Sequence, residues 1–261
     1  MNAPSTSPRR PDTARSDGGG DGVAPAAAVG DRIEAGNARW GFGGATPDRF
    51  EAHIERSVPG YREGHEIVAQ LSDFFLSRGS LAYEIGCSTG ALTRRLAAWN
   101  ADKGARFVGL EIEPAMVETA RRLAAGIEGV EIREADAVHE ELEPADLIVS
   151  YYTLQFVRPA LRQQLVDRIY RSLEWGGGFV LFEKVRGPDA RFQDMMSALY
   201  ADYKLANGFE PEEIIAKTRS LKGVLEPFST QGNVDMLRRA GFVDHTTVFK
   251  HLCFEGFLAI K

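Results

Sequence analysis

The stretch Ser80-Leu81-Ala82-Tyr83-Glu84-Ile85-Gly86-Cys87-Ser88-Thr89-Gly90 decides the fold. Ser80 to Ile85 reads as a strand, Gly86 to Gly90 as a tight loop, and Ala91 to Trp99 continues as a helix. Downstream, Arg106 to Glu111 is a second strand, and Pro114 stands where a first helical turn tolerates proline. Val130 to Ile132 is a third, short strand. Ala145 to Tyr151 is a nearly continuous apolar fourth, as a sheet covered on both faces requires. Leu161, Leu165, Ile169 and Leu173 recur at helical spacing, and Gly176-Gly177-Gly178 is expected to close that helix. Phe179 to Glu183 reads as a fifth strand. Residues 189–222 read as mostly helical, an insertion over the sheet. Val234 to Ala240 is a last helix, and Phe242 to Phe249 with Leu252 to Ile260 form a terminal strand pair. Strands alternating with helices predict an α/β fold: a doubly wound, mostly parallel sheet with an antiparallel C-terminal edge and a helical insertion.

Upstream, Pro47 to Arg56 reads as a short helix ended near Pro59-Gly60, and Tyr61 to Leu76 as a longer one. Residues 1–30 are rich in Pro, Ala, Ser and Gly, with no large apolar residue after Met1 except valine, so a disordered tail is expected there. Residues 31–261 are then expected to form one domain. Arg9-Arg10 invites an export reading, but no hydrophobic segment follows. With 261 residues, 44% hydrophobic and 26% charged, the chain can bury a full core. Its net charge of −6 argues against a surface that coats nucleic acid. No apolar run approaches the roughly 18 residues of a membrane span. Two cysteines, Cys87 and Cys253, fit a reducing, cytoplasmic setting. The five histidines are scattered without HExxH or CxxC, so no metal site is expected.

The motif Glu84-x-Gly86-x-x-x-Gly90 lies between a strand and a helix, where open parallel sheets bind ligands. Gly86 permits a sharp turn and leaves room for a ligand against the backbone. It is neither GxGxxG nor GxxxxGK[ST], so a dinucleotide pyrophosphate and a nucleotide triphosphate both fit poorly. Glu111 ends the second strand roughly 25 residues past the turn, where a Rossmann-type site places a carboxylate for ribose hydroxyls. Asp136 lies beyond the third strand, positioned to meet an adenine amino group. Taken singly, these carboxylates read as solvated loop residues. In series with Glu84 and Gly86 they describe an acidic, phosphate-free adenosine site, which suits the positively charged S-adenosylmethionine.

Glu84-Ile85-Gly86-Cys87-Ser88-Thr89-Gly90 and Gly109-Leu110-Glu111-Ile112-Glu113-Pro114-Ala115-Met116 resemble the first two motifs of class I S-adenosylmethionine-dependent methyltransferases. Closer still is the resemblance to the carboxy-S-adenosylmethionine synthase family, from about Trp40 to Lys261. Its more specific stretches are Arg56-Ser57-Val58-Pro59-Gly60-Tyr61, Thr153-Leu154-Gln155-Phe156, Glu183-Lys184, Ala206-Asn207-Gly208-Phe209, Arg219-Ser220-Leu221 and the ending from Phe254 to Lys261. The resemblance implies a Rossmann-like fold and S-adenosylmethionine, or its carboxylated derivative, as cofactor. It implies cofactor contacts from Tyr61, the Gly86-Cys87-Ser88 turn, Glu111-Ile112 (glutamate where the family usually has aspartate) and Asp136-Ala137. It also implies that Arg219 pairs with a carboxylate, which a guanidinium fork binds through two parallel hydrogen bonds. Where the family has asparagine at the end of the fourth strand, this chain has Tyr151, followed by Tyr152. An aromatic ring there either stabilises the sulfonium through its face or packs against the helix from Tyr61.

Three reactions follow from these readings. The first, implied by the resemblance, is carboxylation of the S-methyl group using prephenate. The second is methyl transfer to a small molecule aligned with the sulfonium. The third is intramolecular ring closure of S-adenosylmethionine, for which Tyr151 and Tyr152 would exclude water. A non-catalytic cofactor-binding protein is the remaining class. A small-molecule substrate is expected in each catalytic case, without nucleic acid or membrane, and a homodimer is compatible with all of them.

Overall fold

The structure, a computed structural model, describes residues 26–31, 33–42 and 46–261. Seven strands form one sheet: β1 (Leu81–Ile85), β2 (Arg106–Glu111), β3 (Val130–Glu134), β4 (Ala145–Tyr151), β5 (Leu173–Lys184), β6 (Asp244–His251) and β7 (Phe254–Ile260). Their order is β3-β2-β1-β4-β5-β7-β6. The first five pair in parallel, and β7 enters antiparallel between β5 and the edge strand β6. Parallel neighbours need crossovers, and helices supply them: α3 (Ala91–Trp99), α4 (Pro114–Ala124) and α5 (Pro159–Ser172). The helix α8 (Thr230–Ala240) packs beside α5. Alternation along β4 explains the two-sided core. Leu147 and Val149 face a cluster with Val68, Leu92, Leu96 and Phe182, whereas Ile148 faces Leu165, Ile169, Phe179 and Met236.

Over the carboxyl edge of the sheet lie α1 (Phe50–Ser57), α6 (Ala190–Ala206), α7 (Pro211–Ser220) and the start of α2 (Tyr61–Ser72), whose Val68 packs on the sheet face. The predicted insertion is therefore a pair of helices. Asp189 caps α6 by accepting from the Phe192 backbone N–H at 3.0 Å, and α7 starts on a reciprocal Glu210/Glu213 capping box.

Two local expectations are corrected. Gly176-Gly177-Gly178 do not close α5: that helix stops at Ser172, Leu173 is extended, and the glycines lie inside β5. Gly178 instead leaves room for the Phe75 ring, which a Cβ would meet at 2.8 Å. The helix from Tyr61 ends at Ser72 rather than Leu76, leaving Phe74 exposed.

The expected tail falls mostly on residues 1–25, outside the described residues. Its last five, Ala26 to Gly30, do not behave as tail. Ala27–Ala28 pair with Glu34–Ala35 as a short antiparallel ribbon, and Val29 is fully buried with Ile33, Ala35 and Trp40 against Leu221 and Val224. The ribbon is tied to α7, since Ala38 N–H donates to the Arg219 carbonyl at 2.9 Å and Trp40 N–H to that of Ser220 at 3.1 Å. A chain beginning at Asp31 should therefore melt below one beginning at Ala26. Losing Val29 burial costs about 1.5–3 kcal/mol, or several degrees at about 2–4 °C per kcal/mol. Equal melting temperatures by scanning calorimetry would show that the ribbon adds nothing.

Candidate functional site

Three strand ends meet at the switch point between β1 and β4. Gly86 leaves β1 with φ +68°, and a Cβ there would stand 2.3 Å from Thr153 Cγ2, so only glycine fits. Thr153 in turn donates from Oγ1 to the Gly86 carbonyl at 3.2 Å. The turns after β1 and β4 are thus locked together beneath a cavity of about 970 Å³. Glu84, Gly86, Cys87, Ser88, Glu111, Ile112, Asp136, Ala137, Tyr61, Tyr151 and Tyr152 all line it. Gly90 does not. It caps α3 in a left-handed conformation, where a Cβ would stand 3.4 Å from that of Ala120.

The cavity has an acidic end. Glu84 is buried, accepts a short hydrogen bond from Thr93 Oγ1, and has its pKa pushed up to about 8, by burial first and then by the nearby Glu111. Glu111 is also raised by burial, offset by backbone donors. Its longer side chain curls back: Oε2 accepts from Ser88 N–H at 2.8 Å, and Oε1 from Ile112 and Glu113 N–H at 2.9 and 3.0 Å. The residue thereby braces the glycine turn while facing the cavity. Ile112 is 63% exposed on the wall, an apolar surface open to a flat ligand. Asp136 Oδ1 accepts from Val138 N–H at 3.0 Å, which sets the loop after β3. Burial holds the Cys87 thiol well above its ordinary range, so it is a neutral wall residue.

Beyond this end stands an aromatic wall. Tyr151 is buried, packs on Tyr61, His65, Tyr152 and Phe182, and donates from Oη to the Tyr61 carbonyl at 2.6 Å. It is therefore engaged in packing against the helix from Tyr61 while also facing the cavity. Tyr152 is more unusual. Its φ is +59°, rare for a bulky residue, and its buried hydroxyl has no hydrogen-bond partner among the described residues.

Arg219 is the sequence expectation that the chain does not bring to the cavity. Its side chain is exposed, whereas Ile214, Lys217, Thr218 and Leu221 line the wall. Two residues along a helix turn through about 200°, so a face that presents Lys217 points Arg219 away. The cations lining it are Arg158, Lys184, Arg186, Lys204, Lys217 and Lys222, none of them singled out from the sequence as site residues. A signal existed for one of them. Met196, Tyr200 and Lys204 recur at four-residue spacing along α6, which puts a lysine on an inward face.

The family described as "Methyltransferase domain" matches residues 82–177. Human N-acetylserotonin methyltransferase in complex with SAM superposes with a TM-score of 0.58 at 22% identity, covering 82% of this chain and 55% of that one. The pyocyanin biosynthetic protein PhzM gives 0.61 at 20% identity, covering 83% and 58%. Sheet order, glycine turn and these matches define an α/β protein of the class I methyltransferase fold. Sequence relatives narrow it further. Carboxy-S-adenosyl-L-methionine synthase of Staphylococcus epidermidis is 35% identical over 216 residues, 83% of this chain and 94% of that one. The synthase of Campylobacter jejuni is 36% identical over 214 residues, 81% and 90% of the two chains. The chain belongs to the carboxy-S-adenosyl-L-methionine synthase family and is an S-adenosylmethionine-dependent transferase.

The fit between Tyr151 and α2 can be tested directly. A Cβ on Gly64 would lie 2.1 Å from Tyr151 Oη. Gly64→Ala should destabilise by about 1–3 kcal/mol through overpacking, and Tyr151→Phe alone by about 1 kcal/mol. In the double variant the alanine should cost less than in the parent. Additive losses in urea denaturation would show that Tyr151 does not sit where its hydroxyl meets α2.

Proposed function

We propose that the cavity binds S-adenosylmethionine with its cationic methionyl part at Glu84, its ribose at Glu111 and its adenine between Ile112 and the Asp136-Ala137 turn. The observation that carries this is the pair of buried carboxylates beside a glycine turn that lacks phosphate-binding features. Glu84 is held largely protonated at neutral pH by burial, and a cation brought beside it favours the carboxylate.

The reaction favoured is that of the family: carboxylation of the S-methyl group. Prephenate that loses carbon dioxide and hydroxide becomes phenylpyruvate. The S-methyl group gives up a proton, which leaves with the hydroxide as water, and the resulting ylide carbon bonds to the carbon dioxide. The neutral aromatic wall suits this step, because it keeps bulk water from the ylide and from carbon dioxide. Tyr151 and Tyr152 also support a second reading, alkyl transfer or ring closure, since their ring faces can hold a sulfonium. A carboxylate-pairing role for Arg219 requires a second copy of the chain to deliver its guanidinium, and a homodimer belongs to this proposal. Buried thiols at Cys87 and Cys253 favour a reducing, cytoplasmic setting.

Product identity decides between the readings. With S-adenosylmethionine and prephenate the parent should yield the carboxylated cofactor by mass spectrometry. Methylthioadenosine from S-adenosylmethionine alone would favour ring closure instead. Tyr151→Asn should raise carboxylation if an amide serves that reaction better, and lower turnover if the ring holds the sulfonium.

Cofactor placement has its own test. Binding S-adenosylmethionine near pH 7 should release protons, because the cation drives Glu84 down from about 8. Calorimetry in buffers of different ionisation enthalpy measures this release, which should vanish in Glu84→Gln. Glu111→Ala should weaken binding by about 1.5–3 kcal/mol and lower the melting temperature, because three backbone N–H groups lose their acceptor. Unchanged affinity in a folded variant would remove Glu111 from the site.

A further inference from the structure

Lys184 at the end of β5, Lys204 in the last turn of α6 and Lys217 in α7 line one lobe of the cavity. Their ammonium groups gather over two rings. Lys184 Nζ lies 4.5 Å and Lys204 Nζ 4.4 Å from the centre of Tyr200, and Lys217 Nζ lies 4.3 Å from that of Trp40. The Tyr200 hydroxyl is already committed, donating to the Ser57 carbonyl at 2.7 Å. Among the described residues, none of the three lysines forms an ion pair.

The nearest candidate counter-charge is already spent. Asp31 Oδ1 accepts from Arg56 at 2.7 Å, and its Oδ2 lies 2.8 Å from His53 Nδ1. His53 is fully buried, and burial with the Lys217 charge lowers its pKa to about 4, so the ring is neutral. Its Nδ1–H therefore donates to Asp31, and its Nε2 accepts from Lys217. That bond orients the lysine without neutralising it. Rings offset only part of the cost of burying ammonium groups. A second, independent observation points the same way: Tyr152 lines this cavity, and its buried hydroxyl has no partner among the described residues.

We propose that this lobe is an anion subsite that takes a small organic dicarboxylate, held by Lys184, Lys204 and Lys217 with the Tyr152 hydroxyl as a fourth donor. Three cations around one lobe call for a dianion. The apolar walls of Met196, Phe254 and Tyr200 call for an organic body rather than a bare inorganic ion. The proposal rests on the reading of the cavity as the reaction site, and names the residues that hold the acidic partner there.

The lobe is also pH-sensitive. Burial, then neighbouring lysines, pushes Lys217 down to about 7, and burial with Lys184 pushes Lys204 down to about 8. Lys184 is lowered by burial and further by Arg186. Buried Glu183 is raised to about 8 and the Cys253 thiol is raised as well, so neither supplies much negative charge at neutral pH. Positive charge is therefore full only well below pH 7 and falls as pH rises through about 7 at Lys217 and about 8 at Lys204. Anion affinity should follow it downward.

Calorimetric titration of the full chain with phenylsuccinate, in the presence of S-adenosylhomocysteine, tests this. Binding should be tighter at about pH 6.5 than at about pH 8.5. Lys204→Met and Lys217→Met should each lose at least about tenfold, as removal of a charge-assisted contact predicts. Tyr152→Phe should lose less, and Lys204→Arg should retain binding. Lys204→Met replaces an unpaired buried charge by an apolar chain of similar length, so it should melt at or above the parent without ligand. Lys217→Met also removes the donor to the buried His53 Nε2 and should melt below the parent. S-adenosylhomocysteine affinity should stay within about twofold throughout, because the lysines lie away from the acidic end. Equal phenylsuccinate affinity in parent and methionine variants overturns the proposal. So does inorganic phosphate binding as tightly as the dicarboxylate, or a parallel loss of S-adenosylhomocysteine affinity. A parent that binds phenylsuccinate through these lysines yet forms no carboxylated product keeps the subsite and refutes only the reaction reading.

Discussion

The contact between Gly86 and Thr153 is the constraint on which the carboxyl edge of the sheet depends. A side chain on Gly86 would collide with Thr153, and the Thr153 hydroxyl closes back on the Gly86 carbonyl. The two turns that flank the switch point thus occupy one another's space and cannot be set independently. To leave β4 and still seat Thr153, the chain takes Tyr152 through a left-handed conformation. It is pinned there by the Tyr152 N–H donating to the Phe182 carbonyl at 2.8 Å and by Gln155 Nε2 donating to the Tyr152 carbonyl at 3.0 Å. Arg162 finishes the floor. Its buried guanidinium donates to the carbonyls of Gln155, Val157 and Glu226 and lies 4.5 Å from the centre of the Phe228 ring. Each main-chain strain is thereby matched by a hydrogen bond that keeps it in place.

Above that floor, charge is separated within one cavity. Glu84 and Glu111 sit at the glycine turn, and Lys184, Lys204 and Lys217 gather over the rings of Tyr200 and Trp40. Either cluster alone is unfavourable, since like charges in a desolvated place push each other toward the neutral form. That is the direction of every shift here: carboxylic acids raised, ammonium groups lowered. Ligands of opposite sign would relieve both clusters, so the penalty built into each cluster favours their binding.

Much of the fold was legible because its signals are local. The apolar run at Ala145 to Tyr151 and the glycine turn after Ile85 survive into the structure unchanged, since burial on both faces and a positive φ leave few alternatives. Gly176-Gly177-Gly178 misled because the need they answer is tertiary: Phe75, far away in sequence, occupies the space above Gly178. The ribbon at Ala27–Ala35 was missed for a related reason. Small residues carry little burial signal of their own, and their partner is the face of α7. At the site, carboxylates at strand ends could be placed because topology fixes strand ends. The lysines could not, because they come from three separate elements that only packing brings together.

The contrast between Arg219 and Lys217 shows where a motif match stops being informative. Similarity located the segment, but helical phase decides which side chain enters the cavity. Ile214, Lys217, Thr218 and Leu221 are spaced i, i+3, i+4 and i+7, a single face, and all four line it. That spacing was readable in advance, whereas the choice of Arg219 rested on the match of the surrounding Thr218-Arg219-Ser220-Leu221 segment. The difference alters the chemistry available. A guanidinium would bring a permanent charge and a planar two-point grip, indifferent to pH in the working range. Lysine brings a point charge whose protonation depends on burial, and here burial places it close to neutrality. A chain that meets its anionic partner with buried lysines gains a site whose charge appears fully only when an anion arrives to hold the proton, and a fixed arginine fork would forfeit that coupling.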